Sequence, residues 1–282
     1  MNYTKISGFA DEIDSSVVTQ FEALNKLGIN YFEPRGIDGK NISELNDNEV
    51  IALKSLMDKY DIKASAIGSP IGKVNLRDDF EVHFELFKRI VKTCKMLDCK
   101  YIRLFSFYHD GEEWSADERT EVIRRLKLMI EYAVENDVVL LHENEKDIYG
   151  DTVERCADLM KELACDNFRA ILDPANFVQS GEDTMNAYNT LNDNIIYVHI
   201  KDAIAENKRV VPVGHGDGNV EFIVLELLKN GYDGFLSLEP HLGTFKGLEG
   251  LELDDAMLGL PDSGEGTFTI AFNALNDILN KL

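Results

Sequence analysis

The sequence predicts an α/β fold, a (β/α)8 barrel of the TIM-barrel architecture, spanning residues 1–282 as a single domain. Three observations lead there. Short apolar runs alternate with longer helical stripes along the whole chain, and the runs number eight. Several are apolar without a break, such as Val138-Val139-Leu140-Leu141 and Ile195-Ile196-Tyr197-Val198. Strands buried on both faces look like that, which implies a parallel sheet covered by helices. A length of 282 residues also suits a barrel that typically takes about 250. An open doubly wound sheet is the alternative. Neither GxGxxG nor GxxxxGK[ST] follows the first run, so that fold lacks its usual nucleotide fingerprint.

In chain order the predicted strands are Lys5–Phe9, Tyr31–Pro34, Lys63–Ile67, Tyr101–Phe105, Val138–Glu143, Phe168–Leu172, Ile195–Ile200 and Phe235–Glu239. Helical periodicity lies between them. Val17, Val18, Phe21, Leu24 and Leu27 form one stripe, stopped by Gly28, which suits a left-handed cap. Phe84, Phe87, Ile90, Val91, Cys94 and Leu97 form another, and Val122, Leu126, Met129 and Ile130 a third. Thr152–Leu163, Thr184–Leu191, Val220–Leu228 and Thr267–Leu282 continue the series.

Composition removes several function classes. With 29 Lys+Arg against 51 Asp+Glu the net charge is −22. That opposes nucleic-acid binding, which depends on cationic neutralisation of phosphates, and opposes an anionic membrane surface. The apolar fraction of 44% and charged fraction of 28% are those of a folded globular protein. Met1 to Phe9 lacks the apolar core of a signal peptide, and no run approaches the length of a membrane span. The four cysteines, Cys94, Cys99, Cys156 and Cys165, match no CxxC spacing. They are expected to be reduced, in a cytoplasmic protein.

Chemistry in such a barrel sits where strands end. Four successive strands end in Leu141-His142-Glu143-Asn144, Leu172-Asp173-Pro174-Ala175-Asn176, His199-Ile200-Lys201-Asp202 and Leu238-Glu239-Pro240-His241. A barrel gathers these ends around one mouth. Three carboxylates that close together repel, and one takes a proton unless a cation lies between them. A divalent metal on Glu143, Asp173, His199 and Glu239 removes that cost. Three oxygens and one imidazole suit Mn²⁺ foremost, with Mg²⁺, Co²⁺ or Zn²⁺ as alternatives.

These four residues, spaced by 30, 26 and 40 positions, resemble the metal set of the xylose-isomerase-like TIM-barrel superfamily. That group includes sugar and sugar-phosphate isomerases and epimerases, inosose dehydratases and endonuclease IV. The motifs quoted above, together with Val213-Gly214-His215-Gly216-Asp217-Gly218, carry the likeness over nearly the whole chain. It implies a divalent-metal-dependent sugar isomerase or epimerase working by proton transfer through an enediolate on the metal. Glu143 and Glu239 would be the catalytic pair, one taking a proton beside the carbonyl and the other returning it. β-Elimination at the same centre, as in an inosose dehydratase, is the alternative, and a non-catalytic sugar-binding barrel is a third reading. The family pattern has a histidine three residues after the aspartate, where this chain has Asn176. Endonuclease IV also needs an Asp-x-His where this chain has Val210-Val211-Pro212. DNA repair is therefore not expected.

Around that core, Asn176, Lys201, His215, Arg103 and Glu33 are the candidate substrate-binding residues, with Arg35 beside Glu33. Asp202 is expected to support the site or cap a helix. His142, next to Glu143 on a strand, should face the opposite side. Tyr108, His109 and Trp114 follow the fourth strand and are candidates for the pocket wall, and His83 is expected at a helix surface. Residues 241–266 are long for a barrel connection and rich in glycine, which suggests a lid or a subunit contact. No strand end pairs a Gly-rich nest with a dense Lys/Arg cluster, so an unphosphorylated sugar or polyol is the expected small-molecule partner. A homo-oligomer is compatible with the sequence.

Overall fold

The computed structural model describes residues 5–242 and 263–282. Eight parallel strands form the barrel: β1 (Lys5–Gly8), β2 (Tyr31–Phe32), β3 (Lys63–Ala64), β4 (Tyr101–Leu104), β5 (Val139–Glu143), β6 (Phe168–Leu172), β7 (Ile195–Ile200) and β8 (Phe235–Leu238). Six of them pair continuously in the order β1-β8-β7-β6-β5-β4, and β2 pairs with β3. Backbone bonds join the two sheets into a ring. Glu33 N–H donates to Gly8 O at 2.9 Å, Ile67 N–H to Tyr101 O at 2.8 Å and Arg103 N–H to Ile67 O at 3.0 Å. The closed ring excludes the open doubly wound alternative.

Nine helices among the described residues surround the strands: α1 (Val17–Lys26), α2 (Asp47–Tyr60), α3 (Phe80–Met96), α4 (Ala116–Glu135), α5 (Val153–Leu163), α6 (Pro174–Gln179), α7 (Thr184–Leu191), α8 (Val220–Lys229) and α9 (Gly264–Leu279). Their stripes form one apolar layer with the outward residues of the strands, including Phe21, Phe87, Leu126, Leu140, Leu159, Val198, Ile223, Leu236 and Leu275. A smaller cluster of Ala66, Val139, Leu141, Ile171, Tyr197 and Phe235 fills the barrel. The two clusters follow from the strand period of two: Val139, Leu141 and Glu143 point inward, while Leu140 and His142 point outward.

Local chemistry sets the ends of these elements. Gly28, at φ +73°, turns α1 into β2 as its position in sequence implies. Helix α2 has no counterpart among the stripes read from sequence, because only Val50, Leu53 and Met57 of it are buried. Its start is encoded differently, in a capping box of Asn46 and Glu49. Two short hairpins extend the C-terminal end of the barrel strands. Gly36–Ile37 pairs with Lys40–Asn41 after β2, and Asp202–Ala203 pairs with Val210–Val211 after β7.

His83 departs from expectation. It is buried, and its Nε2 accepts the backbone N–H of Gly72 at 2.9 Å. Gly72 itself sits at φ +88°, where a Cβ would lie 2.1 Å from Phe105 O. The imidazole thus anchors a turn that only glycine fits. Burial, reinforced by the Arg125 charge, pulls the His83 pKa down to about 4.

Both halves of this turn can be tested. The folded pKa of His83 lies below the ordinary histidine value near 6.5, so the unfolded chain binds more protons between about pH 6.5 and 4. The stability that neutral His83 contributes is present above that window and is lost as pH falls through it. In His83→Gln the amide oxygen can accept from Gly72 without titrating. The fall in melting temperature between pH 7 and 4 should then be smaller by about 2–4 °C; parallel curves for the two proteins would refute the buried neutral state. Gly72→Ala should destabilise by about 2 kcal/mol or more at any pH, read by denaturant unfolding.

Candidate metal centre

Glu143 is the last residue of β5, Asp173 directly follows β6, His199 lies in β7 and Glu239 directly follows β8. All four are buried. Each offers one ligand atom, and those atoms lie within 4.8 Å of one another. His199 Nδ1 is 2.8 Å from Glu143 Oε1 and 3.3 Å from Glu239 Oε2. Asp173 is also the N-cap of α6, with Pro174 in the first turn. Its Oδ1 accepts Asn176 N–H at 2.9 Å, which fixes the carboxylate. Asn144 brackets the same backbone: its side-chain amide donates to Asp173 O at 2.9 Å and its side-chain oxygen accepts Asp173 N–H at 3.0 Å.

Cations close around these carboxylates. Arg103 Nη1 is 3.2 Å from Glu143 Oε2 and 3.9 Å from Glu239 Oε1. Arg35 Nη1 donates to Glu239 Oε1 at 3.1 Å. Lys201 Nζ lies 2.9 Å from Asp173 Oδ2 and 3.4 Å from Glu239 Oε2. Burial opposes ionisation of Glu143, but His199 and Arg103 outweigh it and hold the pKa at about 2. Burial likewise opposes ionisation of Glu239, and Lys201 and His199 carry it well below the usual carboxylate range. Asp173 has less compensation: burial raises it to about 7 against the pull of Lys201.

The donor set fits a divalent metal. Glu143 Oε2 and Asp173 Oδ2 are buried without a hydrogen-bond partner, apart from the ion pairs just given. Buried carboxylate oxygens in that state are costly, and a cation among them would offset the burial, and the repulsion from Glu239 and Glu143, that raise Asp173. Three carboxylates and one imidazole match an oxygen-rich site rather than a structural thiolate site. The geometry does not single out one metal.

The other candidates take varied positions. Asn176 is buried at the cluster, its amide donating to Asn144 O at 2.9 Å and reaching Glu143 Oε1 at 3.5 Å. Lys201 and Arg103 are within the cluster. Glu33 is fully buried, and accepts the hydroxyls of Tyr197 at 2.7 Å and Ser237 at 2.8 Å. His215 is exposed on the glycine-rich turn, its backbone N–H donating to Pro212 O at 3.1 Å. The structure does not bring its side chain to the four ligands. His142 faces away from them, beside the Ser106 hydroxyl at 3.0 Å. Trp114 stacks on His109 at 3.9 Å and meets Tyr149 edge-on, while His109 Nδ1 faces Glu118 at 3.6 Å. The proposed lid falls largely on residues 243–262, outside the described residues.

Asp202 closes the adjoining turn. Its carboxylate accepts the backbone N–H groups of Ala203, Gly214, Gly216 and Gly218 at 2.8–3.0 Å.

Asp11, Glu12 and His241 join the site without having been expected there from sequence. Arg35 forks onto Asp11 at 2.8 and 3.2 Å and reaches Glu12 at 3.3 Å. His241 Nε2 lies 3.5 Å from Glu12 and 3.4 Å from Glu239. Glu12, Glu239 and His241 form a second buried group of ligand type, but the Arg35 guanidinium already supplies positive charge there. The available signal was position: Asp11 and Glu12 follow the first strand as Glu143 ends the fifth.

Known proteins share this architecture. A curated 3-dehydroshikimate dehydratase from Bacillus anthracis is 22% identical over 256 residues, covering 83% of this chain and 86% of the relative. Among solved structures, an IolI protein with a bound zinc atom superposes with a TM-score of 0.76 at 20% identity, covering 98% of each chain. A D-psicose 3-epimerase from Clostridium cellulolyticum H10 superposes at 0.75 with 15% identity, again covering 98% of each. At such identities the structural likeness establishes the fold alone. The model of the xylose isomerase-like TIM barrel family matches residues 21–255, most of the sequence, and the chain belongs to that family.

Proposed function

We propose that this protein is a metal-dependent isomerase or epimerase of a sugar or related polyol, acting by proton transfer at the carbon beside a carbonyl. The observation that carries the reading is the paired setting of Glu143 and Glu239. Each turns one oxygen to His199 in the shared centre and the other to a guanidinium, Arg103 at 3.2 Å for Glu143 and Arg35 at 3.1 Å for Glu239. His199 and Arg103 keep Glu143 ionised, and Lys201 and His199 keep Glu239 so; in that state either can take a proton from the substrate carbon, and the other returns one once it has drawn a proton from solvent. A divalent ion held by Glu143, Asp173, His199 and Glu239 would supply the positive charge that acidifies the C–H bond. In this reading Lys201 and the Asn176 amide, both within the cluster, would exchange a present carboxylate partner for a substrate oxygen.

The fate of the carbanion after proton removal decides the reaction class. Return of a proton to the opposite face of the same carbon is epimerisation, and delivery to the neighbouring carbon is isomerisation. Expulsion of a β-hydroxyl is dehydration. The dehydratase reading is favoured by the curated relative, a 3-dehydroshikimate dehydratase. It shares the first step and the same residues. No helix among the described residues is long and apolar enough to cross a membrane.

The test is solvent-deuterium incorporation followed by NMR. Metal-stripped and Mn²⁺-reloaded protein would be incubated in D₂O with ketoses, aldoses, an inosose and 3-dehydroshikimate. Exchange or turnover should require metal, and the product separates the three outcomes. Glu143→Gln and Glu239→Gln should each lower the rate by about 10²–10⁴-fold while the protein stays folded. Reloaded protein that turns over or exchanges none of these substrates would count against the proposal, and full activity in both variants would remove the glutamates from the chemistry.

A further inference from the structure

We infer that Glu33 is a positioning residue of the centre, which orients His199 by facing its Nε2–H and leaves Nδ1 to the ligand cluster. This rests on the metal reading above. Glu33 enters from the end of β2, but it does not reach the mouth. Tyr197 and His199 share a face of β7, and Ser237 and Glu239 share the face of the chain through β8. Tyr197 and Ser237 therefore form the layer below the ligands, and Glu33 Oε2 is the acceptor for both hydroxyls. Ser65 extends that layer, its hydroxyl 2.9 Å from the Tyr197 hydroxyl and 2.6 Å from that of Ser7. Glu33, Tyr197 and Ser237 are all fully buried.

A carboxylate so deep requires a partner. Among the described residues, the cationic-capable group recorded against Glu33 is His199, with Nε2 at 3.3 Å from Oε2. The two imidazole nitrogens thus face opposite demands. Nδ1 points at Glu143 and Glu239 and needs a lone pair to ligate. Nε2 is buried 3.3 Å from the Glu33 carboxylate with no hydrogen bond formed to it, and would need a proton to donate there. With a metal on Nδ1, neutral imidazole would satisfy both in one tautomer, and the partner of the distal nitrogen would select its orientation. The tyrosine and serine hydroxyls hold the carboxylate in place for that role. The substrate contact expected of Glu33 from sequence is replaced by a contact with the ligand that substrate chemistry depends on.

The experiment uses the full chain with Mn²⁺ or Zn²⁺ alone, titrated against a chromophoric chelator, for the native protein, Glu33→Gln and Glu33→Ala. Loss of an outer partner of a metal-ligating histidine typically costs about 10–100-fold in affinity. Glu33→Ala is expected toward the upper end. Glu33→Gln keeps the shape and an acceptor, and is expected near the lower end. Nitrogen-15 NMR of the imidazole in the Zn²⁺-loaded native protein should show His199 protonated at Nε2 and ligated at Nδ1. In the Zn²⁺-loaded Glu33→Ala protein the Nε2–H signal should shift and its proton should exchange faster with solvent as the carboxylate acceptor is lost, a change that a merely structural role would not produce. If Glu33→Ala does not fold, the affinity and the Nε2–H signal of the isosteric Glu33→Gln decide the matter. Native affinity and a native Nε2–H signal in a folded variant overturn the positioning role while leaving the metal reading intact. Absence of binding by the native protein overturns both.

Discussion

Packing several carboxylates into the buried mouth of one barrel is the constraint on which the rest of this structure depends. Glu143, Asp173 and Glu239 converge with His199, and Glu12 and Glu33 are buried nearby. Like charges in a low-dielectric setting destabilise one another strongly unless opposite charges lie within a few ångströms. Arg35, Arg103 and Lys201 meet that demand from three different strand ends, and Phe9 backs both guanidiniums, at 4.4 Å for Arg35 and 4.9 Å for Arg103. The compensation is uneven. Glu143 and Glu239 are held ionised while Asp173 is left near neutrality without a metal. The protein's own cations thus leave Asp173 the least compensated of the three, and a divalent ion held by these residues would complete the balance.

The fold makes this arrangement attainable because strand alternation sorts side chains into layers. At the bottom, Val139, Leu141, Ile171, Tyr197 and Phe235 close the barrel to water. Above them comes a hydroxyl and carboxylate layer, then the ligands, then the mouth. Each strand contributes to more than one layer by moving two residues along: Tyr197 then His199 then Lys201, and Ser237 then Glu239. A one-residue slip of β7 would send the imidazole into the helix layer and bring Val198 or Ile200 into the centre. Pairing on both flanks, Ser237 opposite His199 and Leu172 opposite Val198, keeps that register.

Much of this was legible in the amino-acid order, and the parts that were not share a cause. The apolar runs located all eight strands, and the strand-end motifs located the four converging residues, because both signals are local. Helix α2 escaped because its buried stripe is only three residues deep. His83 escaped because its partner, the Gly72 amide, lies across a turn whose shape no local pattern announces. Asp11, Glu12 and His241 escaped for a larger reason: His241 N–H meets Glu12 across 229 residues of sequence, a contact that exists only once the first and last strands are neighbours. Glu33 was recognised as a site residue but its depth was not legible, since strand-end position alone does not say which layer a long side chain enters.

The turn held by Asp202 carries a consequence for how such a barrel changes over time. Its carboxylate grips main-chain amides, which every residue except proline provides. At Gly216 and Gly218 a Cβ would fall 2.4 and 2.7 Å from the same oxygen, so those two positions are closed to variation. Position 215, just ahead of them and exposed, is not. The loop's path and its side chain are therefore separately heritable: His215 can be exchanged by mutation without moving the backbone or disturbing His199 three residues upstream of Asp202. A scaffold built this way can vary the side chains of this turn while the expensive buried charges below remain untouched.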